Sequence, residues 1–181
     1  KVSAVGGTLN AARRYLRHVS LPWAVVGPAI VAGFVGSLMG ANAVSHFPAE
    51  PLRKALPFVL LFLLFYTWFQ PSLGEAHTPR ETSHYQQLKG ILLGLTIGFY
   101  DGFFGPGTGS FLIFTFIGVF GFDFLRASAG AKVINLATNL AAVISFAWSQ
   151  NILWRVALPL AACNILGAVA GTRMAILKGS R

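Results

Sequence analysis

The sequence predicts an all-α, polytopic membrane protein with inverted-topology helical repeats and a broken, re-entrant helix at a glycine-rich loop. Three observations predict it: long windows without charge, a stretch that no helix can cross undisturbed, and an internal repeat. Of 181 residues, 55% are hydrophobic and only 10% are charged, whereas soluble domains carry about 25% charged residues. No Asp, Glu, Lys or Arg occurs in residues 19–49, 55–74, 133–154 or 156–172, and residues 90–125 hold only Asp101 and Asp123. A spanning helix needs roughly 20 mostly apolar residues, and several of these windows supply them.

The second observation is residues 98–111, GFYDGFFGPGTGSF. Proline removes a backbone donor and clashes one turn back, and the flanking glycines loosen the chain. Two short helices therefore meet at Gly105-Pro106-Gly107. Non-helical backbone at membrane depth survives only where protein buries it or where it lines a wet cavity. A helix opening at Thr108 to Ser110 would aim free N–H groups, and the positive end of its dipole, at that cavity.

The third is a repeat with a shift of 131 positions. Lys1 falls on Lys132, Val2 on Val133, Leu9 on Leu140 and Ala11 on Ala142. Trp23 falls on Trp154, Val25 on Val156, Pro28 on Pro159, Gly36 on Gly167 and Gly40 on Gly171. Apolar stretches match by chance, but chance does not align Lys, Trp, Pro and two Gly in one register.

Taken in order, residues 1–18 read as a helix ending in the basic cluster Arg13, Arg14, Arg17. This is the reverse of a signal peptide's order. Residues 22–47 are rich in small residues that let membrane helices approach closely. Residues 48–54 read as a turn. Residues 55–69 are bulky and lipid-facing, with Tyr66 and Trp68 near an interface. Residues 74–89 read as a polar loop with Glu75, Arg80 and Glu81. Residues 90–97 and 112–120 flank the break, and residues 121–126 form a short loop. Residues 129–149 and 152–176 form a helical hairpin, followed by a tail with Lys178 and Arg181. One transmembrane domain covers 1–181: residues 1–70 as the remainder of a first half with its linking helix, 71–89 as a cytoplasmic loop, and 90–181 as a second half.

Lys and Arg set orientation. Arg13, Arg14 and Arg17 put the first inter-helix loop inside. Counting crossings then places the matching loop at 150–154 outside, so the two copies face opposite ways. Such inverted repeats are a common transporter plan, with the site between the copies near the midplane. Arg53 and Lys54 then fall outside beside Glu50, against the rule.

The net charge of +9 falls in clusters between apolar windows. That fits an anionic bilayer surface better than nucleic acid. The single cysteine, Cys163, excludes an intrachain disulfide and reads as a packing residue. His18, His46, His77 and His84 lack metal spacing. Neither metal nor cofactor is called for, and with no nucleophile–base pair the chain does not read as an enzyme.

Asp101 is the intramembrane carboxylate. It is costly there and reads either as a proton-coupling site or partner of Lys132, or as a cap on freed backbone groups. Lys132 holds an anion or snorkels to the interface; the matching Lys1 favours the anion. Asn135 and Asn139 share a helical face with Lys132 and serve as donors to an anion or as glue between helices. Thr108 and Ser110 read as N-caps, a role compatible with anion contact alongside Gly107 and Gly109. Tyr100 and Phe104 are gate candidates.

Residues 98–111, with Gly121-Phe122-Asp123, Arg126-Ala127-Ser128-Ala129, Ala131-Lys132, Asn135 and Asn139, closely resemble the sulfite exporter TauE/SafE family, also called the toluene sulfonate uptake permeases. The likeness is nearest to its YfcA-like branch and covers essentially the whole chain. It implies about eight crossings in two inverted halves, each begun by a broken glycine-rich segment. Against that pattern both ends read as truncated: the first broken segment and a final helix are missing. The resemblance further implies an inner-membrane permease that moves sulfite, thiosulfate or organosulfonates, coupled to protons. With only Cys163, thiol-based handling of thiosulfate is not expected.

The function expected is therefore a secondary transporter for small sulfur-containing anions, working by alternating access. The anion would be held by Gly107, Thr108, Gly109, Ser110, Lys132, Asn135, Asn139 and Lys1. A passive anion channel and a non-transporting scaffold remain as alternatives; a scaffold needs the break at 105–107 to be dry and packed. Expected partners are the anion and the bilayer, not nucleic acid, and a homodimer is compatible with the sequence.

Overall fold

The structure, a computed structural model, describes residues 1–68, 84–150 and 152–178. Among them every regular element is a helix: α1 (Val2–Leu16), α2 (Trp23–Ser45), α3 (Ala49–Trp68), α4 (His84–Phe103), α5 (Thr108–Phe120), α6 (Phe124–Trp148) and α7 (Trp154–Lys178). Three are long and apolar enough to cross a membrane: α2, α6 and residues Trp154–Met174 of α7.

Three boundaries differ from expectation. Helix α3 begins at Ala49, inside the expected turn, because Pro51 stands in the first turn, where its missing N–H costs nothing. Helix α4 begins at His84, so residues 84–89 of the expected loop are helical; Glu75, His77, Arg80 and Glu81 lie outside the described residues. Helix α6 begins at Phe124 because Asp123 caps it, its side chain accepting from Arg126 N at 2.7 Å and also pairing with the Arg126 guanidinium. The placements of the Tyr66 and Trp68 side chains and of Arg181 also lie outside what is described.

Helices α2 and α4 form the tightest interface, and glycine makes it. Gly90, Gly94, Gly98 and Gly102 recur every fourth residue on α4 and are buried. A Cβ on each would meet the backbone carbonyl oxygen of Val25, Ala29, Gly33 and Ser37 in turn. Both series ascend together, so the two helices run parallel. From the other side, Gly36 and Gly40 of α2 lie against the backbone of Leu95, Phe99 and Phe103. With no hydrophobic drive between helices in lipid, such backbone contact is what holds them. Helix α6 packs across α2, where Ser37 Oγ donates to Thr138 O at 2.7 Å.

Helix α1 runs antiparallel to α6. Lys1 shares a small pocket with Val143 and Phe146, and at the other end the Tyr15 side chain meets that of Ser128. Helix α1 runs parallel to α7: Val2 and Ser3 lie by Leu153 and Val156, while Gly6 and Gly7 meet Ile165 and Asn164.

The apolar core gathers at one end, around Tyr15, Val26, Leu112, Phe116, Phe120, Phe122 and Ile134. The left-handed Gly121 (φ 71°) ends α5 and turns the chain so that the rings of Phe116 and Phe122 stack at 5.3 Å. Large apolar side chains elsewhere point outward, among them Phe58, Phe62 and Phe65 on α3 and Leu158 and Leu166 on α7. Cys163, expected to pack, is exposed on that same helix.

Candidate functional site

The break lies where the sequence puts it. Helix α4 ends at Phe103 and α5 opens at Thr108. Gly105 and Gly107 take φ of 89° and 78° on either side of Pro106, a conformation that side chains rarely tolerate. A Cβ on Gly105 would also stand 3.1 Å from Lys1 Nζ. Tyr100 crosses the break from below: its hydroxyl donates to Pro106 O at 2.6 Å, and its ring packs on Phe104 and Phe111.

A cavity of about 950 Å3 opens beside the break. Its wall combines Lys1, Ala4 and Thr8 of α1; Asp101 to Gly105 at the end of α4; Lys132, Asn135 and Asn139 of α6; and Asn164, Gly167, Gly171 and Thr172 of α7. A cavity therefore borders the break, where a scaffold would need close packing. Lys1, Ala4 and Thr8 occupy the same repeat register as Lys132, Asn135 and Asn139. The two copies thus present matching positions to one cavity. They even share a bond: Thr8 Oγ1 donates to Ala4 O at 2.8 Å, and Asn139 Nδ2 donates to Asn135 O at 2.7 Å.

Asp101 is the buried charge, its side chain only 2% exposed. Lys1 Nζ lies 2.6 Å from Oδ1, and Thr108 Oγ1 stands 2.7 Å from the same oxygen. Oδ2 has no hydrogen-bond partner among the described residues. The carboxylate also faces the start of α5, whose dipole favours negative charge. A carboxylate in such a place needs a cation and donors, and it has both on one oxygen. The expected pairing of Asp101 with Lys132 is replaced by pairing with Lys1. Lys132 lines the cavity with no acidic partner among the described residues.

Gly107, Thr108, Gly109 and Ser110 are not in the cavity wall. Thr108 is 2% exposed, and it serves Asp101 rather than capping: α5 has Gly107 at its N-cap position and no side-chain cap. Gly109 abuts the α6 residue Asn135, whose Nδ2 would lie 3.7 Å from a Cβ built on that glycine. Asn139 turns back onto its own helix instead of bonding across to another. Phe104 lines the cavity and Tyr100 does not. Sequence reasoning missed the α7 wall, although the register that matched Gly167 and Gly171 to Gly36 and Gly40 was a signal for it. It also missed the four-residue glycine period of α4. Among the described residues, no cluster of His, Cys, Asp or Glu could hold a metal ion.

Comparison with known proteins places the chain. The family model for the sulfite exporter TauE/SafE matches residues 1–181. A protein of Haemophilus influenzae named "Probable membrane transporter protein" is 36% identical over 99% of this chain and 69% of its own length. "Probable membrane transporter protein YfcA" of Escherichia coli K12 is 32% identical over 100% of this chain and 66% of its own. "Probable membrane transporter protein ORF9" of a Sinorhizobium species is 32% identical over 100% of this chain and 69% of its own. The chain thus spans about two thirds of the length of these relatives, whose names are those of transporters and not of enzymes. No solved structure gives a significant match. With apolar helices long enough to span and a family match from end to end, this multi-pass membrane chain belongs to the sulfite exporter TauE/SafE family.

Proposed function

We propose that the chain forms the anion-handling part of a secondary transporter in the bacterial inner membrane. Its substrates are small sulfur-containing anions such as sulfite, thiosulfate or organosulfonates. One observation carries this reading: a cavity within an outwardly apolar molecule receives two lysines and, among the described residues, one carboxylate. Lys132 has no anion of its own among the described residues, and an uncompensated ammonium in an apolar setting is costly until an anion joins it. Lys132 holds the anion's charge, and the Asn135 amide, at spacing three, donates to its oxygens. The start of α5 acts at one remove, through the Thr108 hydroxyl on Asp101 and through Gly109, which abuts Asn135.

The hairpins α1–α2 and α6–α7 are read as inverted halves, which the antiparallel course of α1 and α6 and the shared register of their cavity positions support. Rocking one half against the other would then expose the cavity to each side in turn. Phe104, in the wall, and Tyr100, braced across the break, would gate it.

A thermal-shift screen of the purified protein against sulfite, thiosulfate, sulfoacetate and methanesulfonate, with chloride as reference, tests the reading. A ligand that prefers the folded state raises the melting temperature. At least one sulfur oxyanion should raise it for the unaltered protein and leave Lys132→Ala unmoved. Equal behaviour of all anions and chloride would contradict the proposal. Uptake that ignores a proton gradient would favour the passive channel instead.

A further inference from the structure

The two lysines of the cavity are not equivalent, and the difference lies in Asp101. Lys1 is tied to Asp101 Oδ1 at 2.6 Å, whereas Lys132 faces the cavity unpaired among the described residues. Oδ2 of Asp101 is buried with no hydrogen-bond partner among those residues. The charges facing this carboxylate can be named element by element. Helix α1 brings Lys1 and, farther along, Tyr15; α6 brings Lys132. Helix α5 brings only the hydroxyl of Thr108. Helix α4 itself carries Tyr100, whose proton is committed to Pro106 O. Helix α2 has no ionisable residue along Trp23–Ser45, and the α7 part of the wall is uncharged.

Counting side chains alone, the cavity wall therefore holds a net charge of +1 when Asp101 is ionised: two lysine ammonium groups less one carboxylate. One proton on Asp101 makes it +2 and removes the carboxylate that competes for Lys1. With Asp101 and Lys1 largely buried, the stable occupancies are those that cancel charge.

Resting on the anion-transport reading above, we infer that Asp101 couples proton to substrate by competing with it for Lys1. With Asp101 ionised, Lys132 alone serves a monoanion. A dianion binds together with one proton, which goes from water to the free Oδ2 of Asp101. The neutral carboxylic acid then releases Lys1, still an ammonium, to a second oxygen of the anion. No covalent bond forms or breaks beyond the O–H of Asp101. The specificity that follows is for a dianion plus a proton or for a bare monoanion, with the same net charge crossing in either case.

Titration calorimetry of the detergent-purified protein tests this, with thiosulfate as dianion and methanesulfonate as monoanion; neither probe titrates near neutral pH. Runs in two buffers of different ionisation enthalpy count protons. Thiosulfate should take up about one proton per molecule bound, and its association constant should fall about tenfold per pH unit as pH rises. Methanesulfonate should take up none. Asp101→Asn, which mimics the protonated acid, should keep thiosulfate binding with proton uptake gone and affinity independent of pH. Thiosulfate bound by the unaltered protein without proton uptake would overturn the coupling and leave the anion site standing. So would loss of thiosulfate binding by a folded Asp101→Asn. Failure of either probe to bind at all would overturn both. Should Asp101→Asn not fold, the proton count on the unaltered protein decides alone.

Discussion

Helices α2 and α7 carry the same small-residue register but meet opposite fates. Gly36 and Gly40 of α2 are pressed against the α4 backbone so closely that a Cβ at either would collide with a carbonyl oxygen. Gly167 and Gly171, 131 positions on, have nothing within 4 Å of where a Cβ would stand, and they border the cavity. Both helices open on a tryptophan, Trp23 and Trp154, and carry an internal proline, Pro28 and Pro159. The lesson is that a row of small residues grants permission for close approach without naming the partner. In one hairpin a backbone takes up the permission; in the other it becomes the wall of a cavity.

The lysines differ in the same way. Lys1 and Lys132 share a register, but only Lys1 has a carboxylate partner among the described residues. That pairing joins residues a hundred positions apart in the chain, at the foot of α1 and the end of α4.

Substitutions can break this comparison, beginning with the largest expected effect. Gly98→Leu would drive a side chain into the Gly33 backbone, and a core this tight has no room to yield. We expect a cost of about 3 kcal/mol or more, read as loss of the monodisperse peak in size-exclusion chromatography; a normal peak would mean that α2 and α4 do not depend on backbone contact. Asp101→Ala should rank next, because it strands Lys1 in a largely buried position, and breaking such a pair costs about 3–5 kcal/mol. Thermal unfolding would check it, and Lys132→Ala, with no partner to strand, should shift the midpoint far less. Phe116→Ala should fall in a similar range, about 3–5 kcal/mol, since it removes the ring stacked on Phe122. At the bottom, Gly171→Ala should change stability by no more than about 0.5 kcal/mol, against the large cost expected at its counterpart Gly40. If Gly171→Ala and Gly40→Ala cost the same, the contrast between the two faces is lost.

Much of this was legible in the sequence. The break could be placed because Pro106 between two glycines has few backbone solutions. Most helices followed from apolar windows with little or no charge, and the first, with its basic end at Arg13, Arg14 and Arg17, from its helical pattern. The boundaries were less legible, because such windows report on lipid and not on helix: His84 to Lys89 is polar and still helical, and Pro51 starts a helix instead of a turn. At the site, Lys132 and Lys1 were legible through the repeat and Asn135 through its spacing on the face of Lys132, and all three line the cavity. The amides of Gly107 to Ser110 were placed as direct ligands because a free helix end attracts anions. In the structure the Thr108 hydroxyl contacts Asp101, and residues 107–110 lie outside the cavity wall. No periodicity could have assigned Asp101 to Lys1 over Lys132, since both lysines fit one register and only the course of α1 beside the break decides between them.

The most direct test is uptake of radiolabelled thiosulfate into proteoliposomes by the unaltered protein and by Lys132→Ala, each verified as folded by its chromatographic profile. The account predicts uptake above that of empty vesicles for the first and its loss for the second. Equal uptake by both would remove Lys132, and with it the anion site described here.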